Sequence, residues 1–273
     1  WLDTRRKGFS DEAQEEGLQY PKGLLLAGLP GCGKSLTAIA VAQEWKMPLL
    51  RLDIGKIYGK YVGDSEKNIR KALDVAEKIS PCILWIDEIE KGLGGSGGDG
   101  GTSSRVLGTI LTWMQEKTDP VFVLATANDT SVLPPELIRK GRMDEVFFVD
   151  LPNLKERQEI FKIAVDKNKW KHELDFKKLA SESVDFSGAE VAQSILDGKY
   201  TAFNNNEILG TKHVLEALKS TIPLSSSMKD KISILRDWAK SSARPASRDI
   251  DEDDEEINSF GYRANKILGD EDE

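Results

Sequence analysis

Three glycines, a lysine and a hydroxyl crowd into one short segment, Gly28-Leu29-Pro30-Gly31-Cys32-Gly33-Lys34-Ser35. Residues of these types at this spacing suit a bound triphosphate. Glycines let backbone N–H groups wrap a β-phosphate, and the N-terminus of a following helix adds a favourable dipole. Lys34 would reach the β- and γ-phosphates, and the Ser35 hydroxyl would ligate Mg2+. The flanks supply the required context: the apolar run Leu24-Leu25-Leu26-Ala27 leads in, and a helical pattern follows from Ser35 to Trp45. A chance glycine-rich turn would need neither.

A second candidate centre is the pair Asp87-Glu88 behind the apolar run Ile83-Leu84-Trp85-Ile86. Asp87 suits holding Mg2+ through water, and Glu88 suits polarising an attacking water as general base. The pair follows Lys34 by 53 residues, room for one strand and two helices between the two motifs. Three further groups each carry two readings. Asn128, after Val121 to Ala125, either holds the attacking water or caps the next turn. Arg139-Lys140-Gly141-Arg142 is either solvated surface or a source of arginine to a neighbouring subunit's γ-phosphate. Tyr61-Val62-Gly63 either packs on its own domain or grips a partner polypeptide.

These residues need a frame. Leu49 to Asp53 and Val146 to Val149 read as further strands beside the apolar runs already named. Between them, Ser35 to Trp45 has helical spacing with Leu36, Ile39, Ala40 and Ala42 as core positions. Ser65 to Ile79 reads as a helix capped by Ser65, with Ile69, Leu73 and Ala76 on its buried face. Apolar strands alternating with helices predict a parallel sheet covered on both faces. Gly92 to Gly101 reads as a loop before a helix starting near Ser103. After Pro152 only helices are expected, over 154–168, 175–180, 188–204, 211–219 and 228–241. The predicted division is therefore a 1–152 nucleotide-binding domain, a 153–247 helical lid and a 248–273 acidic, disordered tail.

Composition narrows the function classes. Of 273 residues, 39% are hydrophobic and 31% charged, as in ordinary globular chains. No apolar run approaches the roughly 20 residues that span a bilayer. The chain starts at Trp1 with no basic-then-apolar leader, which reads as a fragment or processed product. The tail holds eleven Asp and Glu against three Arg and Lys, the whole of the net charge of −8. Its segment Ile257 to Tyr262 is the part apolar enough to dock. The balanced body lacks the basic surface that non-specific nucleic-acid binding needs. Cys32 and Cys82 belong to opposite ends of parallel strands, too far apart for a disulfide, which favours a reducing, cytosol-like compartment. With His172 and His213 they make no zinc pattern.

Taken together, these residues resemble the AAA clade of the AAA+ ATPases over residues 20–220, including the stretch LPPELIRKGRMDEVFFVDLP at 133–152. The resemblance implies a P-loop NTPase αβα sandwich with a five-stranded parallel sheet, followed by the small helical lid. It implies ATP and Mg2+ as cofactors, and a nucleotide set of Pro30, Gly31, Cys32, Gly33, Lys34, Ser35 and Leu36 with Ile160, Gly188 and Ala189 of the lid. By the same match Asn128 resembles sensor 1, Arg139 and Arg142 resemble trans-acting arginine fingers, and Tyr61-Val62-Gly63 resembles a substrate-gripping pore loop. Ser187-Gly188-Ala189-Glu190 is similar to the lid motif that packs on the nucleotide, without a sensor 2 arginine. Two departures stand out: Ala164 where many relatives carry His near the adenine, and Lys-Ser in place of Lys-Thr. Within the clade, LLRLDIGKIYGKYVGDSEKNIR, PCILWIDEIEKG and LTWMQEK resemble the plastid and cyanobacterial group designated hypothetical chloroplast reading frame forty-six. The implied activity is Mg2+-dependent ATP hydrolysis by a homo-oligomeric ring, a hexamer, that remodels a protein or peptide substrate in the cytoplasm or plastid stroma. The alternative is a nucleotide-gated assembly factor that binds a partner without threading it. A DNA-associated loader is weighed down by the neutral body and acidic tail.

Overall fold

The computed structural model describes residues 1–57, 64–92, 100–139 and 141–247, with the backbone alone for 100–104. The strands are β1 (Gly23–Gly28), β2 (Leu49–Asp53), β3 (Cys82–Asp87), β4 (Val121–Ala127), β5 (Glu145–Val149), β6 (His172–Glu173), β7 (Leu209–Gly210) and β8 (Arg244–Pro245). The helices are α1 (Leu2–Arg6), α2 (Asp11–Glu15), α3 (Lys34–Trp45), α4 (Ile54–Ile57), α5 (Asp64–Lys78), α6 (Gly100–Glu116), α7 (Leu154–Asp166), α8 (Phe176–Glu182), α9 (Gly188–Asn204), α10 (Thr211–Ser220), α11 (Leu224–Ser227) and α12 (Lys229–Ser242). By internal contacts the chain divides into two units. A sheet unit takes Trp1–Gly28, Lys34–Phe148 and Trp238–Pro245. A helical unit takes Leu29–Gly33, Val149–Asp237 and the described residues from Ala246.

The main sheet runs β2-β3-β4-β1-β5-β8, and the pairs β2–β3, β3–β4, β1–β4 and β5–β8 are parallel. This is the parallel α/β fold of a P-loop NTPase. Strands β1 and β4 are buried at every position and β3 at all but its last, because covered parallel strands have no wet face. On one side α5 and α6 bring Ile69, Leu73, Ala76, Ile110 and Met114 into the core around Leu84 and Val123. A separate aromatic cluster joins Phe122 to Trp45, ring centroids 4.7 Å apart, and to Phe9 at 6.2 Å. The start of β1 is held by Asp144, whose carboxylate accepts from the N–H groups of Lys22 (2.7 Å) and Gly23 (3.1 Å). Cys32 and Cys82 form no disulfide, and burial pushes the Cys82 thiol up to about 11.

The helical unit packs Phe161, Val165, Leu179, Val191, Ile195, Val214 and Leu218 around one core. Helix α7 begins in a capping box between Asn153 and Glu156, and the buried Arg157 donates to the carbonyls of Ala180 (3.0 Å) and Pro152 (2.7 Å). Its guanidinium therefore serves packing between α7 and α8 rather than solvent contact.

Several expectations need correction. Residues after Pro152 are not all helical: β6 pairs with β7, and the two-residue β8 extends the expected five strands to six by pairing Phe147 with Arg244. Such short pieces carry no alternating pattern of their own. Ser65 lies buried inside α5, which already starts at Asp64, and α6 begins at Gly100 rather than near Ser103. Leu36 is 57% exposed in the first turn of α3 and Ile39 is half-buried, whereas the expected Ala40 and Ala42 are buried and share the core face with Ala38, Val41 and Trp45. The contact division falls at Val149 and interleaves the sequence, where a single boundary near 152 was expected. The 248–273 tail lies outside the described residues, as does most of the glycine-rich loop.

Phe122 is fully buried between two other rings, so truncation leaves a cavity its rigid neighbours cannot fill. Phe122→Ala is expected to cost about 3–5 kcal/mol, read from the urea midpoint at unchanged m-value.

Candidate functional site

In the sheet unit, the ends of β3 and β4 meet the first turn of α3. Lys34 opens that helix and is 6% exposed, with its Nζ donating to the Gly28 carbonyl at 2.8 Å. Ser35 Oγ donates to Asp87 Oδ1 at 3.3 Å, so the hydroxyl and the carboxylate expected to share a metal are already neighbours. Two hard oxygen donors of this kind match what Mg2+ takes from protein, the rest of its octahedron coming from phosphate and water. The residues present thus fit the ion.

Asp87 and Glu88 are joined through Thr126, which is 1% exposed. The Thr126 hydroxyl donates to Asp87 Oδ1 at 2.9 Å and accepts from the Glu88 N–H at 2.9 Å. Glu88 itself has a φ of +48°, a left-handed conformation that costs a side-chain-bearing residue energy and is held here by its neighbours. Its carboxylate accepts from Asn128 Nδ2 at 3.0 Å through Oε1 and pairs with Lys91 through Oε2. The Asn128 N–H in turn donates to Glu90 Oε1 at 2.9 Å. Burial pushes the Glu90 carboxyl up, opposed by that N–H. The hydrogen bond that Lys91 donates to the Glu88 carboxylate pushes the Lys91 ammonium up.

In the helical unit, the middle of the phosphate loop lies against the turn that starts α9. The Ala189 N–H donates to the Gly31 carbonyl at 2.9 Å. A Cβ on Gly31 would come within 3.0 Å of Ser187 Oγ, and one on Gly188 within 3.2 Å of the Gly31 carbonyl and 3.3 Å of Ile160. A side chain at either position would need its neighbours to shift, and at Gly31 the φ of +76° adds backbone strain. Ser187 and Glu190 close a capping box around this turn, which fixes its shape.

The expected site residues thus fall into groups. Lys34, Ser35, Asp87, Glu88 and Asn128 form one connected set; Gly31, Ile160, Gly188 and Ala189 form another. Pro30 and Cys32 are half-buried in the loop, with Gly33 at φ +89° before Lys34. Arg139 is exposed on the β4–β5 connection, while Arg142 donates to the Glu136 carbonyl at 2.9 Å and to Gln115 Oε1 at 3.3 Å. Tyr61, Val62 and Gly63 lie outside the described residues. Sequence reasoning passed over Thr126, Lys91 and Arg51. Thr126 was readable as a hydroxyl two residues before Asn128 on a strand otherwise apolar, and Lys91 as a cation three residues after Glu88.

With fold and site together, comparison with known proteins agrees. Residues 24–151 match the family described as ATPase family associated with various cellular activities (AAA). Residues 24–151 of this chain thus form an AAA domain. The chain is 51% identical over 246 residues to the AAA domain-containing protein ycf46 of Trieres chinensis, covering 88% of this chain and 49% of that protein. It is 50% identical over 243 residues to ycf46 of Guillardia theta, covering 88% and 48%. It is 33% identical over 219 residues to the ATPase family gene 2 protein of Schizosaccharomyces pombe, covering 80% and 26%. The chain spans about half the length of the ycf46 relatives it matches. No helix among the described residues is long and apolar enough to cross a membrane.

Thr126→Val keeps the volume but leaves the Glu88 N–H without its acceptor. A loss of about 1–3 kcal/mol in thermal or urea unfolding is expected, with Thr126→Ser restoring most of it.

Proposed function

We propose that this chain is a Mg2+-dependent ATPase that works in a homo-oligomeric ring, a hexamer, and uses turnover to remodel a protein or peptide in a soluble compartment, the cytoplasm or plastid stroma. The observation that carries the reading is the connected set Lys34–Ser35–Asp87–Glu88–Asn128 on one rim of a parallel sheet. Few arrangements other than triphosphate hydrolysis use a buried lysine, a hydroxyl, a carboxylate and a second held carboxylate together.

In this reading the loop N–H groups and Lys34 bind the β- and γ-phosphates, and Ser35 and Asp87 hold the metal. Bound Mg2+ supplies neutralisation of charge on the phosphate oxygens. Glu88 takes the proton of the attacking water at Oε2 once Lys91 releases it, while Asn128 keeps Oε1 oriented. Ile160, Gly188 and Ala189 contact the nucleoside side from the lid. Arg139 and Arg142 stabilise the γ-phosphate bound by the next subunit, and Tyr61-Val62-Gly63 grips the substrate.

The ion pair from Lys91 onto Glu88 also favours a second reading, a nucleotide-gated assembly factor that rests in an inactive form and binds its partner without threading it. Tyr61→Ala separates the two. Under the remodelling reading it abolishes unfolding of a tagged substrate while ATP turnover persists; under the second it leaves partner handling intact.

Glu88→Gln is expected to bind ATP and retain it unhydrolysed, whereas Lys34→Ala loses nucleotide binding in an equilibrium binding assay. Arg139→Ala should lower turnover about 10³-fold or more without weakening binding to the same degree. Turnover per subunit should climb with protein concentration through the assembly range, and a flat profile refutes the role given to the neighbour's arginines.

A further inference from the structure

Arg51 has no part in the chemistry above, yet at 2.7 Å its Nη2 makes the shortest hydrogen bond described for Asp87. Arg51 sits on β2, the edge strand, in register with Trp85, and Asp53 is in register with Asp87. Side chains two apart on a strand share a face, so Trp85 and Asp87 stand side by side. The guanidinium lies over the Trp85 ring, 4.6 Å from its centroid, while reaching Asp87 Oδ2. The carboxylate is thereby divided. Oδ1 faces Ser35 and Thr126, and Oδ2 carries Arg51.

A carboxylate whose side chain is only 14% exposed is costly to leave without a cation. Arg51, at 57%, meets that need while keeping much of its own hydration. Its position also has a consequence for any divalent ion at Oδ1, since two cations would then share one carboxylate and repel each other. The exposed guanidinium is the partner free to move, and the Trp85 face gives it a resting place off Oδ2. A lysine would keep the charge without the planar stack.

We propose that Arg51 is a positioning residue that acts as a built-in counter-cation to Asp87, and so sets the divalent-ion concentration that the site requires. This rests on the metal role of Asp87 proposed above. In the metal-free protein Arg51 holds the carboxylate with Oδ1 turned to Ser35. Metal binding then proceeds against its charge, so the site fills at a higher concentration than Ser35 and Asp87 alone would need.

The test is a Mn2+ titration of the full chain loaded with ADP, with free Mn2+ read by electron paramagnetic resonance. Arg51→Met keeps the length and drops the charge, and is expected to bind Mn2+ about two- to fivefold more tightly, the range open to a half-exposed ion pair. Arg51→Gln, a polar second variant, should move the same way, and Arg51→Lys should return the constant toward the native value. The Mg2+ concentration for half-maximal turnover should shift in parallel. Unchanged or weaker Mn2+ binding in the folded Met and Gln variants, confirmed by circular dichroism, overturns the proposal. A native chain that binds ADP but no Mn2+ overturns the metal role of Asp87 itself, and loss of Mn2+ binding in Asp87→Asn separates the two failures.

Discussion

The parallel pairing of β3 with β4 carries the site, because in that register Ile86 stands against Ala125 and the next residues on each strand are Asp87 and Thr126. A hydroxyl there can serve both the Asp87 carboxylate and the Glu88 N–H, and it does so from a fully buried position. A slip of one residue would turn every side chain to the other face. Burial of both strands makes such a slip prohibitive, since it would break the continuous apolar packing of Leu84, Ile86, Val123 and Ala125. The precision of the polar rim is therefore inherited from the core beneath it.

The phosphate loop is governed by a different constraint, close approach. Its ends belong with β1 and α3 of the sheet unit, while Leu29–Gly33 group with the helical unit. Within that helical unit, a Cβ on Gly31 would press on Ser187 and Ala189, and one on Gly188 on the Gly31 carbonyl and Ile160. The Ser187–Glu190 capping box then does two things at once. It starts α9, and it presents the Ala189 N–H to the Gly31 carbonyl. Small residues in this stretch are needed for backbone contact, which leaves no room for selection by side-chain size.

Charge at the rim is arranged so that each carboxylate is engaged. Asp87 is shared among Ser35, Thr126 and Arg51, Glu88 between Asn128 and Lys91, and Glu90 receives the Asn128 N–H. Three carboxylates within four residues would repel one another if left alone, and Arg51 and Lys91 offset that repulsion from exposed positions. Exposure matters: a cation still in contact with water can leave its partner at small cost, which a buried one cannot.

The sequence by itself determined the strands, since continuous apolar runs such as Ile83 to Ile86 have no other use in a chain of this kind. It also singled out Lys34, Ser35, Asp87, Glu88 and Asn128, because their types and spacing suit the chemistry of phosphate and metal. Local pattern failed at Leu36, which is exposed although Ala40 and Ala42 of the same expected face are buried, and at β6, β7 and β8, where two residues hold no period. The partners of this set were decided only by tertiary structure. Arg51 reaches Asp87 from another strand, and Thr126 serves Glu88 across a sequence gap of 38 residues. Such contacts arise from strand order and register, which are properties of the packed sheet and leave no mark on the local composition of the chain.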